Sequence, residues 1–158
     1  MRSVKLSCYV WALVFCGWCN SEGLAQTSQK GASISAYGRQ TSKYISTMHY
    51  TGIAVASKAV DLSRNHGLIS QKSWQASVLP QLDVLIAASK GFQSIRPVPR
   101  GFEKVNRDFA GLGRKMELAA VTYKRGVRTG NASLVYNAFG SMKEVDETLV
   151  ALSKMRNQ

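Results

Sequence analysis

From residue 34 onward the apolar positions recur at intervals of three, four or seven. Ile34, Tyr37, Tyr44, Met48, Val55 and Leu62 follow this rule, with Thr41, Thr51 and Ala59 filling the gaps. A period near 3.6 puts such residues on one face of a helix, so the spacing predicts a first helix over about 34–65. It should stop at Asn65-His66-Gly67, where a turn-forming residue and a glycine follow the last periodic position. Trp74, Val78, Leu82, Leu85, Phe92 and Ile95 define a second helix over about 69–95. Pro80 lies within it and either kinks the helix or restarts it from its own first turn.

Arg96-Pro97-Val98-Pro99-Arg100 interrupts the pattern, because two prolines one residue apart exclude a regular helix. A third helix is predicted over about 101–128 from Phe102, Val105, Phe109, Leu112, Met116, Ala119, Tyr123 and Val127. A fourth, over about 131–155, follows from Leu134, Ala138, Met142, Val145, Leu149 and Leu152. Between them Gly130 suits a left-handed C-terminal cap and Asn131 an N-cap. No segment alternates as a strand does. Four helices on short connections form an all-α, antiparallel up-down four-helix bundle most economically, each helix roughly 40 Å long. Several glycines fall inside these helices, and Gly52 with Ala56 is spaced to permit close helix contact.

The residues before this pattern are of another kind. Arg2 and Lys5 precede a mostly apolar run from Leu6 to Cys19, then Asn20-Ser21-Glu22 and the small residues Gly23-Leu24-Ala25. This is the layout of a secretory signal peptide, cleaved after Ala25. An uncleaved anchor is disfavoured because the run falls short of the ~20 residues that span a bilayer. Bacterial lipoprotein processing is disfavoured because Cys16 and Cys19 follow Phe15 and Trp18 rather than small residues. Residues 26–33 read as a flexible lead and residues 34–158 as the bundle. The expected location is secreted or periplasmic. All three cysteines, Cys8, Cys16 and Cys19, lie in the leader, so the exported chain is expected to be disulfide-free.

The remaining chain offers little to a catalytic reading. His49 and His66 are the only imidazoles, no cysteine nucleophile is left, and no Glu stands three residues before either histidine as a di-iron bundle requires. Covalent haem attachment lacks its Cys-x-x-Cys-His sequence. Glu144, Asp146 and Glu147 are the one acidic cluster, too few oxygens for a divalent ion. The expectation is a protein without catalytic residues, metal or cofactor.

Charge is the positive signal. The chain holds 21 Lys+Arg against 9 Asp+Glu, a formal +12, and loss of Arg2, Lys5 and Glu22 with the leader lowers it by only one. Eight of the cations fall between 100 and 128: Arg100, Lys104, Arg107, Arg114, Lys115, Lys124, Arg125 and Arg128. At ~100° per residue, Arg100, Lys104, Arg107, Arg114 and Arg125 come within about 80° of one another, with Arg128 at the margin. Five of the eight are Arg, whose planar fork favours phosphate and carboxylate. These six are the candidate partner-binding residues. The expected function is that of an exported, non-enzymatic adaptor or envelope accessory protein using this ridge against an acidic protein face, an anionic envelope polymer or lipid head groups. Nucleic acid fits less well, because no stacking aromatic accompanies the charges. The competing expectation is a bundle that holds a small apolar or aromatic ligand between helices, lined by Tyr44, Met48, Trp74, Phe109, Met116 and Tyr123.

Overall fold

The computed structural model describes residues 33–155, so the leader and nearly all of the predicted lead lie outside the described residues. Within that range the chain is helical throughout: α1 (Ile34–Arg64), a 3-10 turn (His66–Ser70), α2 (Lys72–Gln93), α3 (Glu103–Thr129) and α4 (Ala132–Met155), with no strand.

Each boundary has a local cause. Ser33 opens α1, its hydroxyl accepting the Ala36 amide at 3.2 Å. Asn65 closes α1 and caps the 3-10 turn, its side-chain oxygen accepting from Gly67 N–H at 3.1 Å. This separate turn replaces the first residues assigned to the second helix from periodicity. α2 then runs continuously through Pro80, so the proline does not restart it. Gly130 adopts φ +68, the left-handed conformation open to glycine, and Asn131 caps α4 by accepting the Leu134 amide at 3.1 Å.

α1 packs on α2, α2 on α3 and α3 on α4, while the α1–α4 seam that closes the ring is much thinner. The core draws on all four helices, with Met48, Val55 and Leu62 from α1, Val78, Leu82, Leu85 and Phe92 from α2, Tyr123 and Val127 from α3 and Val135 from α4 among its best-buried members. Tyr123 is the largest of them and is wholly buried, its hydroxyl 3.5 Å from the Val55 carbonyl. At the other end Tyr37 donates to Asn106 Oδ1 at 3.1 Å. Asn106, not the neighbouring Val105 expected from the pattern, therefore takes the inward position at the start of α3, and Val105 is exposed. A buried hydroxyl requires an acceptor, and Asn106 supplies one where valine has none.

The helix-interior glycines divide into two groups. At Gly91 and Gly126 a β-carbon would collide with Tyr44 and Val135 respectively, and at Gly113 it would come within 3.1 Å of Gln93, Phe92 and the Ser89 carbonyl, so these positions allow close approach. At Gly52 nothing lies within 4 Å of that position. The close contact expected there from the Gly52–Ala56 spacing is absent; Gly52 borders open space instead.

Candidate functional site

Of the six cations singled out in the sequence, Lys104, Arg107, Arg114, Arg125 and Arg128 lie on α3 and are exposed. Arg100 is exposed too but precedes the helix, in the turn made by Pro99 and Gly101, where Gly101 has φ +87. Its angular place on the α3 wheel therefore does not apply, and the helical part of the ridge begins at Lys104. None of the six forms an ion pair or side-chain hydrogen bond with any described residue.

Two other charges on α3 are used within the bundle. Lys124 bonds Asp83 of α2. Glu117 accepts from Gln93 Nε2 at 2.7 Å and lies 3.7 Å from Lys90. Both therefore serve the α2–α3 seam, while the outward face keeps the six cations together with one exposed carboxylate, Glu103, about 20° from Arg114 around the helix.

That face also carries apolar side chains the charge pattern concealed. Leu118 is 61% exposed and Val121 47% exposed. At ~100° per residue Leu118 falls about 40° from Arg114 and about 20° from Arg125, with Val121 about 20° beyond Arg114 on the other side. Leu118 and Val121 thus interrupt the ridge near its middle, between Arg114 and Arg125. The signal was present in the sequence, because neither residue belongs to the set at core spacing. Beside Leu118 an open groove of about 460 Å³ runs between α3 and α4, with Lys115 and Glu144 among its walls.

Of the six residues expected to line a ligand site, two share one cleft. Met48 and Met116 meet at a cleft of about 270 Å³ under the α1–α4 seam, joined by Gly52, Phe139, Met142 and His49. Tyr44, Trp74, Phe109 and Tyr123 do not line it. Tyr44 packs over Gly91, Phe109 lies 5.4 Å from Phe92 between ring centroids, and Trp74 and Tyr123 are core. The cleft exists where Gly52 leaves a side chain's worth of space. Its mouth is fastened by His49 Nδ1 and Asp146 Oδ1, 3.1 Å apart.

Two further polar groups take structural partners. His66 Nδ1–H points to the Leu62 carbonyl at 3.1 Å, closing the end of α1, and Lys143 lies 3.7 Å from Glu147. Among the described residues no three His, Cys, Asp or Glu side chains converge on a point, and no helix is long and apolar enough to cross a membrane. No protein-family model, curated protein or solved structure matches the chain.

Proposed function

We propose that this is an exported, non-enzymatic helical-bundle protein, an envelope-associated adaptor that binds an acidic partner through Arg100, Lys104, Arg107, Arg114, Arg125 and Arg128. One observation carries the reading: six exposed cations without a single acidic partner among the described residues. A ridge on which six cations meet one exposed carboxylate, Glu103, keeps a strong positive excess, which concentrates field along one helix and draws anions to it. The leader-like residues 1–25 support export. An antiparallel up-down course is part of the proposal, supported by the tight α3–α4 turn at Gly130 and by contacts that pair Asp83 with Lys124 and Gln93 with Glu117.

Arg107, Arg114 and Arg125 replaced together by Gln should weaken binding to the soluble polyanions polyglutamate and polyphosphate at least about tenfold at low salt, since exposed charges act through screened Coulomb attraction. The melting temperature should hold, because exposed residues without partners contribute within about 0.5 kcal/mol. Binding that survives both the triple substitution and high salt would overturn the reading.

The α1–α4 cleft favours a second reading, a pocket for a small apolar molecule. Its ~270 Å³ exceeds the roughly 150 Å³ that suffices for benzene in an apolar protein cavity. Naphthalene should shift the 13C-methyl resonances of Met48, Met116 and Met142. Gly52→Leu should abolish those shifts by filling the space, while stabilising the helix by about 0.8 kcal/mol. Unperturbed methyl resonances at saturating naphthalene would dismiss the pocket.

A further inference from the structure

We infer that the acidic partner is an anionic phospholipid surface, and that the protein lies on it with α3 flat against the head groups and Leu118 and Val121 inserted between them. This rests on the proposed ridge function and narrows it to one partner.

Three observations point the same way. First, the cations are spread rather than clustered. From Lys104 to Arg128 they cover 24 helical steps, about 36 Å at 1.5 Å per residue. A lipid surface offers negative charge at every point along such a line, whereas an acidic protein would need a matching row of carboxylates of the same length. Second, five of the six are Arg, and the guanidinium fork matches the oxygens of a phosphate, the group common to anionic phospholipids. Third, Leu118 and Val121 stand exposed among those cations. A soluble polyanion has no apolar layer to receive them. A bilayer has one directly beneath its phosphates, and cations flanking a short apolar stripe is the pattern by which a helix settles at that boundary.

Insertion by the apolar face of α3 would require the bundle to open, because that face is committed to the core. The exposed pair removes that obstacle: Leu118 and Val121 reach outward with Tyr123, Met116 and Val127 still buried. No helix needs to unfold or cross the bilayer.

The test is co-sedimentation of the purified full chain with vesicles of equal phosphatidylglycerol and phosphatidylcholine, against vesicles of phosphatidylcholine alone. The leader, with its apolar residues 6–19 and its cations Arg2 and Lys5, is common to wild type and the Leu118 variant, so the difference between these two proteins on the anionic vesicles is the readout. Wild type should bind the anionic vesicles preferentially, and high salt should remove the preference. Leu118→Asn should lower binding to the anionic vesicles about tenfold, the loss expected when one leucine is no longer taken out of water. The same variant should bind soluble polyphosphate as wild type does. Its thermal melt should also match, since the residue is exposed.

Equal binding of wild type and Leu118→Asn to the anionic vesicles, or no preference for them over phosphatidylcholine, would overturn the inference. Binding to polyglutamate or polyphosphate with no anionic-vesicle preference would sink the lipid assignment and leave the acidic-partner reading standing. Binding to neither would remove both.

Discussion

Tyr123→Ala should cost about 3–5 kcal/mol of stability, the range for deleting a fully buried aromatic ring. Against the 5–15 kcal/mol typical of a whole domain, that is enough to leave a substantial unfolded fraction. Tyr123 is the largest wholly buried side chain and reaches from α3 to the α1 backbone at Val55, so its loss opens a void that helices on two sides must collapse around. Tyr123→Phe separates ring from hydroxyl. The 3.5 Å contact with the Val55 carbonyl is long for a hydrogen bond, and this variant should lie within about 1 kcal/mol of wild type at neutral pH. Urea unfolding of the three proteins gives these differences directly.

The same residue makes a prediction at alkaline pH. Burial raises the Tyr123 phenol above its ordinary value, and Tyr136 adds in the same direction. The unfolded chain releases that proton near the ordinary phenol value of 10.0 while the folded chain keeps it. The stabilisation is therefore complete below about pH 10 and declines as pH rises beyond it, by up to ~1.4 kcal/mol per pH unit for this group. Tyr37, raised chiefly by burial, adds a parallel loss. Tyr123→Phe should flatten the alkaline limb of the stability profile. If its unfolding free energy between pH 10 and 11 falls as steeply as that of wild type, Tyr123 is not the group responsible.

The helices and the break at Gly130 were legible because they follow from period and from the few residue types that fit a cap. Met48, Val55 and Leu62 repeat at seven, and all three are buried. Gly130 and Asn131 leave little choice of conformation. What the sequence withheld depends on neighbours. Arg100 has a helical interval to Lys104, yet the left-handed Gly101 turns the chain between them. Tyr44, Trp74, Phe109 and Tyr123 have helical spacing like Met48 and Met116, but which side chains share a cleft depends on how far apart two helices stand. Leu118 and Val121 sit in plain view on the charged side of α3; periodicity assigns an inside by majority and passes over what lies outside it. The ridge itself was legible as charge, and its freedom from partners only as geometry, since Lys124 reads like Arg125 until Asp83 is found beside it.

Gly126 and Gly111 are the sharpest instance of that dependence, because both are glycines inside α3 and residue type alone does not say what lies against each. A β-carbon at Gly126 would lie 2.9 Å from Val135 Cγ2, 3.0 Å from Leu134 Cβ and 3.0 Å from the Asn131 carbonyl oxygen. The last of these is backbone, held in place because Asn131 N–H donates to the Gly126 carbonyl at 2.8 Å. The obstruction therefore cannot swing aside as a flexible side chain would. Gly126→Val should push α4 off α3 at the turn and cost about 3 kcal/mol, the upper range for overpacking a well-filled interface. Gly111 has nothing within 4 Å. Gly111→Ala should raise stability by about 1 kcal/mol through helix propensity alone, or roughly 3–5 °C in melting temperature for a domain of this size. Opposite signs in thermal melts of the two variants are expected. Two shifts of the same sign would mean that α3 and α4 do not approach each other at Gly126 as closely as described.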